Sequence, residues 1–105
     1  MADFMKILQQ AQEMTGRMQE MQEKLLNETV TGSAGGGMVR VETDGKGNLR
    51  SIKIDPSVVN ADDVSMLEDL VVVAMREAQK KAGELESREM GSLTGGMNLP
   101  FPLPF

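Results

Sequence analysis

The chain predicts an α+β fold in which two long helices flank a three-stranded antiparallel meander. Three changes of pattern carry that reading. An apolar residue recurs every three or four positions from Phe4 to Leu25; the period drops to two between Thr29 and Asp55; the helical spacing returns from Val64 to Leu85.

The first helix is predicted from Asp3 to about Asn27. Phe4, Ile7, Ala11, Met14, Met18, Met21 and Leu25 follow a heptad spacing and form one narrow apolar stripe. Asp3 places a negative charge where the helix dipole favours it, and Glu13 with Arg17 and Glu20 with Lys24 are i,i+4 pairs in the favourable order. Gly16 falls opposite the stripe and costs roughly 1 kcal/mol relative to Ala. At about 1.5 Å per residue such a helix is on the order of 38 Å long. A chain of 105 residues builds too thin a core to cover it. Part of the stripe is therefore expected to meet a second subunit, giving a homodimer. Met14, Met18, Met21 and Leu25, with Leu67 and Val71 of the second helix, are the expected interface.

The meander comes next. Thr29-Val30-Thr31 is β-branched, and Val39-Arg40-Val41-Glu42-Thr43 alternates as a half-buried strand should. Gly35-Gly36-Gly37 breaks the chain between them. Asp44-Gly45-Lys46-Gly47-Asn48 is a hairpin turn signal. Leu49 to Asp55 returns, with Ile52 and Ile54 on one face and Leu49 out of phase, which implies a bulge or an edge near the turn. Pro56 ends the strand.

The second helix is predicted from about Ala61 to Glu89, with Asn60 as its N-cap and Asp63 in a capping-box position. Val64, Leu67, Val71, Ala74, Ala78 and Leu85 form its stripe. Lys81 and Arg88 fall where that heptad calls for apolar residues, so the far half is expected to leave the core and project into solvent. Residues 1–90 thus read as one dimerising domain. Residues 91–105, rich in Gly and Pro with Phe101 and Phe105, read as a disordered tail.

Composition removes several function classes. The chain has no Cys and no His. Ser-His and Cys-His nucleophilic chemistry and the usual zinc sites are therefore excluded, and no loop gathers two carboxylates in a cleft. The expectation is a non-enzyme without cofactor or metal. No stretch is long and apolar enough to span a membrane, and the first residues lack the pattern of a signal peptide, so a cytoplasmic protein is expected.

Gly35-Gly36-Gly37 lacks the Lys-Ser/Thr ending of a phosphate-binding loop and precedes a strand, so it reads as a turn. The Met-rich stripe reads as core and seam, although Met also suits an adaptable protein-docking surface. A net charge of −5 argues mildly against bulk attraction to nucleic acid, which leaves the placement of the basic residues to decide. Arg76, Lys80, Lys81 and Arg88 lie on the second helix, and Arg17 and Lys24 sit seven apart on the first. Most have an acid four residues earlier and read as a salt-bridged surface; Arg76 and Lys80 do not.

The order and spacing of several segments resemble the YbaB/EbfC family of bacterial nucleoid-associated proteins. These segments are Met18-Gln19-Glu20-Met21-Gln22, Gly32 to Val39, Gly45-Lys46-Gly47-Asn48-Leu49, Ile52-Lys53-Ile54-Asp55, Leu67-Glu68-Asp69-Leu70 with Ala74 and Ala78, and Leu93-Thr94-Gly95-Gly96-Met97. Met75-Arg76 departs from it, since the family often carries a small residue and Asn there. The resemblance implies a tweezer-like homodimer that binds double-stranded DNA with little sequence preference in the nucleoid and acts in gene regulation. On that reading Arg76, Lys80, Lys81 and Arg88, then Arg17 and Lys24, are the expected phosphate contacts. The alternative is a protein-interaction adaptor acting through the Met-rich helix or the apolar tail.

Overall fold

A computed structural model describes residues 2–94. The order is α1 (Ala2–Asn27), β1 (Val30–Ala34), β2 (Val39–Thr43), β3 (Leu49–Ile54), a 3-10 turn (Pro56–Val58) and α2 (Val64–Thr94). The strands form one antiparallel sheet in the order β1-β2-β3. This is the α+β arrangement that the sequence predicts.

Turn chemistry sets the register. Gly35, Gly36 and Gly37 all have positive φ, at 61°, 67° and 92°, which closes the first hairpin at little steric cost. In the second hairpin Glu42 pairs with Ser51 but Thr43 pairs with Leu49, so Arg50 is the extra residue of a bulge. That bulge accounts for the phase of Leu49. Strand β1 starts at Val30 rather than Thr29 and takes in Gly32, Ser33 and Ala34, small residues that the alternation alone did not mark as strand.

Helix α2 lies across β1 and β2. Ala34, Val39, Val41, Ala74 and Ala78 are buried together, with Val58, Leu67, Leu70, Val71 and Met75 packed around them. Gly32 makes the close approach possible, because a β-carbon there would lie 2.1 Å from the Ala74 carbonyl oxygen and 2.5 Å from the Ala78 nitrogen. The helix stops short of β3. Ile52 and Ile54 pair with Val41 and Val39 on the same sheet face, yet remain 41% and 38% exposed.

A second cluster joins the helices away from the sheet. Met21 and Leu25 of α1 are buried against Met90 of α2, with Met18, Leu85 and Leu93 beside them. This corrects the expectation that the far half of α2 projects into solvent. Burial follows Ala74, Ala78 and Ala82 in steps of four, so the stripe drifts round the helix away from the heptad positions of Lys81 and Arg88. The segment left without a partner among the described residues is the first half of α1, where Phe4, Met5, Ile7 and Leu8 are exposed.

Two boundaries of α2 also differ from expectation. Asp63, not Asn60, caps it: Asp63 Oδ1 accepts from the Met66 N–H at 3.3 Å and from Ser65 Oγ at 3.2 Å. Asn60 instead makes a preceding turn, its Oδ1 accepting from the Asp62 N–H at 2.9 Å. At the other end the helix continues past Gly91 to Thr94, where packing of Met90 and Leu93 on α1 outweighs the cost of the glycine. The remainder of the predicted tail, residues 95–105, lies outside the described residues. The principal extents are 73 × 23 × 16 Å. Among the described residues no helix is long and apolar enough to cross a membrane.

Candidate nucleic-acid interface

The predicted basic residues divide into two engaged and four open side chains. Arg76 and Lys80 are exposed and stand one turn apart on a single row of α2. Lys81 and Arg88, also exposed, stand two turns apart on a second row. Lys81 Nζ bridges Glu77 at 3.0 Å and donates to the Thr31 carbonyl at 3.2 Å, which fastens that row to β1. The hydrogen bond from Lys81 holds Glu77 below the usual glutamate pKa. Arg76, Lys80 and Arg88 form no ion pair among the described residues.

On α1, Lys24 and Arg17 line a cleft against α2 with Glu20, Met21, Glu89, Ser92 and Leu93. Lys24 Nζ donates to Glu89 at 2.9 Å. That bond raises the Lys24 pKa above the ordinary lysine value, so its charge is fixed. Glu77 and Lys81, four residues apart, do pair; Lys24 chooses Glu89, 65 positions away, over the Glu20 expected from sequence. The expected dimer residues also separate. Met21 and Leu25 are buried within their own chain, whereas Met14, Met18, Leu67 and Val71 are half-buried and keep surface to offer.

The sheet carries two cations that the reading by helices passed over. Arg40 and Lys53 are direct cross-strand partners, exposed on the face away from α2. Like charges placed directly opposite are unfavourable unless an anion lies between them. The alternation of Val39-Arg40-Val41 and Ile52-Lys53-Ile54 already put both on the solvent side; their adjacency needed the register. Residues 30–54 hold four cations, Arg40, Lys46, Arg50 and Lys53, against Glu42 and Asp44, and so are net positive in an acidic chain. Two of those cations are structural. Lys46 Nζ donates to Gln22 Oε1, and Arg50 donates to the Leu26 carbonyl and, at 3.2 Å, to Thr29 Oγ1, satisfying the end of α1.

No group of His, Cys, Asp and Glu among the described residues has the geometry to hold a metal ion. What the arrangement offers is exposed positive charge on an elongated frame. Residues 1–97 match the YbaB/EbfC DNA-binding family. The chain belongs to this family. A nucleoid-associated protein of Gemmatimonas aurantiaca is 52% identical over 103 residues, covering 98% of this chain and 99% of that one. One from Desulfotalea psychrophila is 48% identical over 98 residues, covering 93% and 92% of the two chains. One from Corynebacterium diphtheriae is 47% identical over 96 residues and covers 91% of each. In fold, an uncharacterized Helicobacter pylori protein matches with a TM-score of 0.78 at 24% identity, over 88% of this chain and 97% of that one.

Proposed function

We propose that this YbaB/EbfC chain is a non-enzymatic, nucleoid-associated protein that binds duplex DNA as a homodimer and affects transcription through that binding. Membership of a DNA-binding family supports the ligand class. The observation that supports the mode is the run of exposed Arg76, Lys80 and Arg88 along α2 without a counter-ion among the described residues. These side chains, with Lys81, Arg17 and Lys24, would contact phosphates and release counterions without reading bases. Arg76 to Arg88 is twelve residues, about 18 Å of helix, which is enough to follow several phosphates.

The second copy would meet the β3 side of the sheet. Ile52 and Ile54, together with Leu67 and Val71 on the α2 flank, form an apolar surface that the chain leaves partly open, and β3 is an unpaired edge.

Fluorescence anisotropy of a labelled random duplex, titrated at several salt concentrations, tests the DNA reading. Binding should weaken steeply with salt. Replacing Arg76 and Lys80 together with Ala should flatten the log–log salt slope by roughly 0.9 for each phosphate no longer neutralised, alike for all sequences. If the slope holds for that variant but flattens for Arg40→Ala with Lys53→Ala, the duplex lies on the sheet instead. Light scattering at the same concentrations reads the dimer, and a mass near that of one chain would refute it.

A further inference from the structure

We propose, resting on the DNA reading above, that each protomer carries two separate phosphate-binding faces on opposite sides of its helix-on-sheet layer, and so holds two duplexes together. The first face is the outer side of α2. Ala74, Ala78 and Ala82 are buried, the first two against the sheet. Arg76 stands midway between Ala74 and Ala78, and Lys80 midway between Ala78 and Ala82. At about 100° per residue, both side chains leave the helix roughly 160–200° from the buried line, pointing away from the sheet. Glu84, one turn on from Lys80, pairs with neither cation among the described residues.

The second face is the other side of the sheet. Ala34, Val39 and Val41 are buried towards α2, so strand alternation turns Ser33 and Arg40 outward, and pairing turns Lys53 outward with them. The register sets Ser33, Arg40 and Lys53 in one row across β1, β2 and β3. At about 4.8 Å between strands that row is roughly 10 Å long. Arg40 and Lys53 are exposed and form no ion pair among the described residues. The acids beside them are engaged elsewhere: Glu42 accepts from Ser51 Oγ at 3.4 Å, and Asp55 from the Ser57 N–H at 2.8 Å. Two like charges held opposite each other repel, and an anion shared between them turns that repulsion into two charge-assisted contacts. The β3 contact proposed above draws on Ile52 and Ile54 of the inward side and leaves this row open.

One duplex cannot serve both faces. They point in opposite directions across a body whose two shorter extents are 23 and 16 Å. A duplex following both would have to turn through roughly 180° around it, whereas bends of about 40–90° over 20–30 base pairs already cost appreciable free energy. A duplex lying on Arg76 and Lys80 therefore leaves Arg40 and Lys53 free for a second one.

Capture of one duplex by another tests this. Beads sparsely coated with a biotinylated duplex and loaded with the full-length protein at low salt should retain a second, fluorescent duplex of unrelated sequence. Arg40→Ala with Lys53→Ala should leave the protein on the beads and cut the retained second duplex by about tenfold, the loss expected for two phosphate contacts. The charge-keeping pair Arg40→Lys with Lys53→Arg should capture like the parent. Parent protein held on the beads without a second duplex would overturn the proposal and leave the DNA reading intact. Undiminished capture by the alanine variant would also overturn it, because the α2 faces of two protomers would then form the bridge. Parent protein absent from the beads would overturn the DNA reading itself, and the two faces with it.

Discussion

The backbone N–H of Gly45 donates to the carbonyl of Leu25 at 2.7 Å, and a β-carbon at Gly45 would stand 2.6 Å from that same oxygen. The hairpin turn thus closes the last turn of α1, and only glycine allows the approach. Gly45→Ala should destabilise the fold by about 1–3 kcal/mol. Gly16→Ala is the internal contrast. A β-carbon at Gly16 would have no neighbour within 4 Å, so the change should stabilise by up to about 1 kcal/mol. Urea midpoints of the two variants should move in opposite directions.

Gly32→Ala should cost more than Gly45→Ala. The new methyl would meet backbone on two residues of α2 at 2.1 and 2.5 Å, closer than the 2.6 Å approach at Gly45. The loss should reach about 3 kcal/mol or more, with α2 lifted from β1. Thermal unfolding monitored by circular dichroism would show it; a midpoint equal to that of the parent would contradict the clasp.

Acid should weaken the second hairpin through Asp44. This buried carboxylate accepts from Asn48 Nδ2 at 3.0 Å, and from the N–H groups of Asn48 at 3.0 Å and Lys46 at 2.8 Å. The Asn48 side chain first, then those backbone groups, hold its pKa below the ordinary aspartate value. A depressed folded-state pKa contributes stability that is fully present above the unfolded value and is lost as pH falls through the folded one. Stability should therefore decline as pH drops below the ordinary aspartate range, and Asp44→Asn should make that decline shallower. Asp55 and Glu77, also depressed, keep it from vanishing. Denaturant midpoints measured across the acid range would check both statements.

Glu89→Gln separates stability from binding. The Lys24–Glu89 pair is open to solvent on the Lys24 side, where the side chain is 55% exposed, so losing it should change stability by about 1 kcal/mol at most. It also removes the anion facing Lys24 beside Arg17. If that cleft meets phosphate, duplex affinity should rise at low salt and the gain should shrink as salt is added. Unchanged affinity at low salt would mean that Arg17 and Lys24 do not touch the duplex.

Local pattern was enough for most of the fold. The phase of Leu49 announced the bulge, and the glycine run and Asp44–Asn48 marked both hairpins. Contacts between distant residues were not legible. Asn60 and Asp63 are both good caps, and only their hydrogen bonds in the folded chain, Met66 N–H to Asp63 and Asp62 N–H to Asn60, tell the cap from the preceding turn. The heptad through Lys81 and Arg88 misplaced the outer half of α2 because burial there follows Ala78, Ala82 and Met90. Gly45 reads as a turn residue, but its essential property is the missing side chain against Leu25; Gly47, at φ 85°, is the one that needs the positive torsion. For the candidate site, the basic residues themselves were visible. Their partners were legible only in part: Glu77 for Lys81 stands four residues away, whereas Glu89 for Lys24 and Thr31 for Lys81 are distant in sequence. The adjacency of Arg40 and Lys53 likewise depends on register.

The two apolar clusters give the molecule a mechanical division of labour. Sheet and inner α2 form a plate; outer α2 and α1 form a beam. Load applied to the beam, for instance by a bent duplex resisting it, reaches the plate through the unbroken hydrogen-bonded rod of α2 and through the Gly45–Leu25 bond, with Lys46 and Arg50 alongside. In a dimer, the spacing between two such beams would then depend on both of these connections, the helix and the second hairpin.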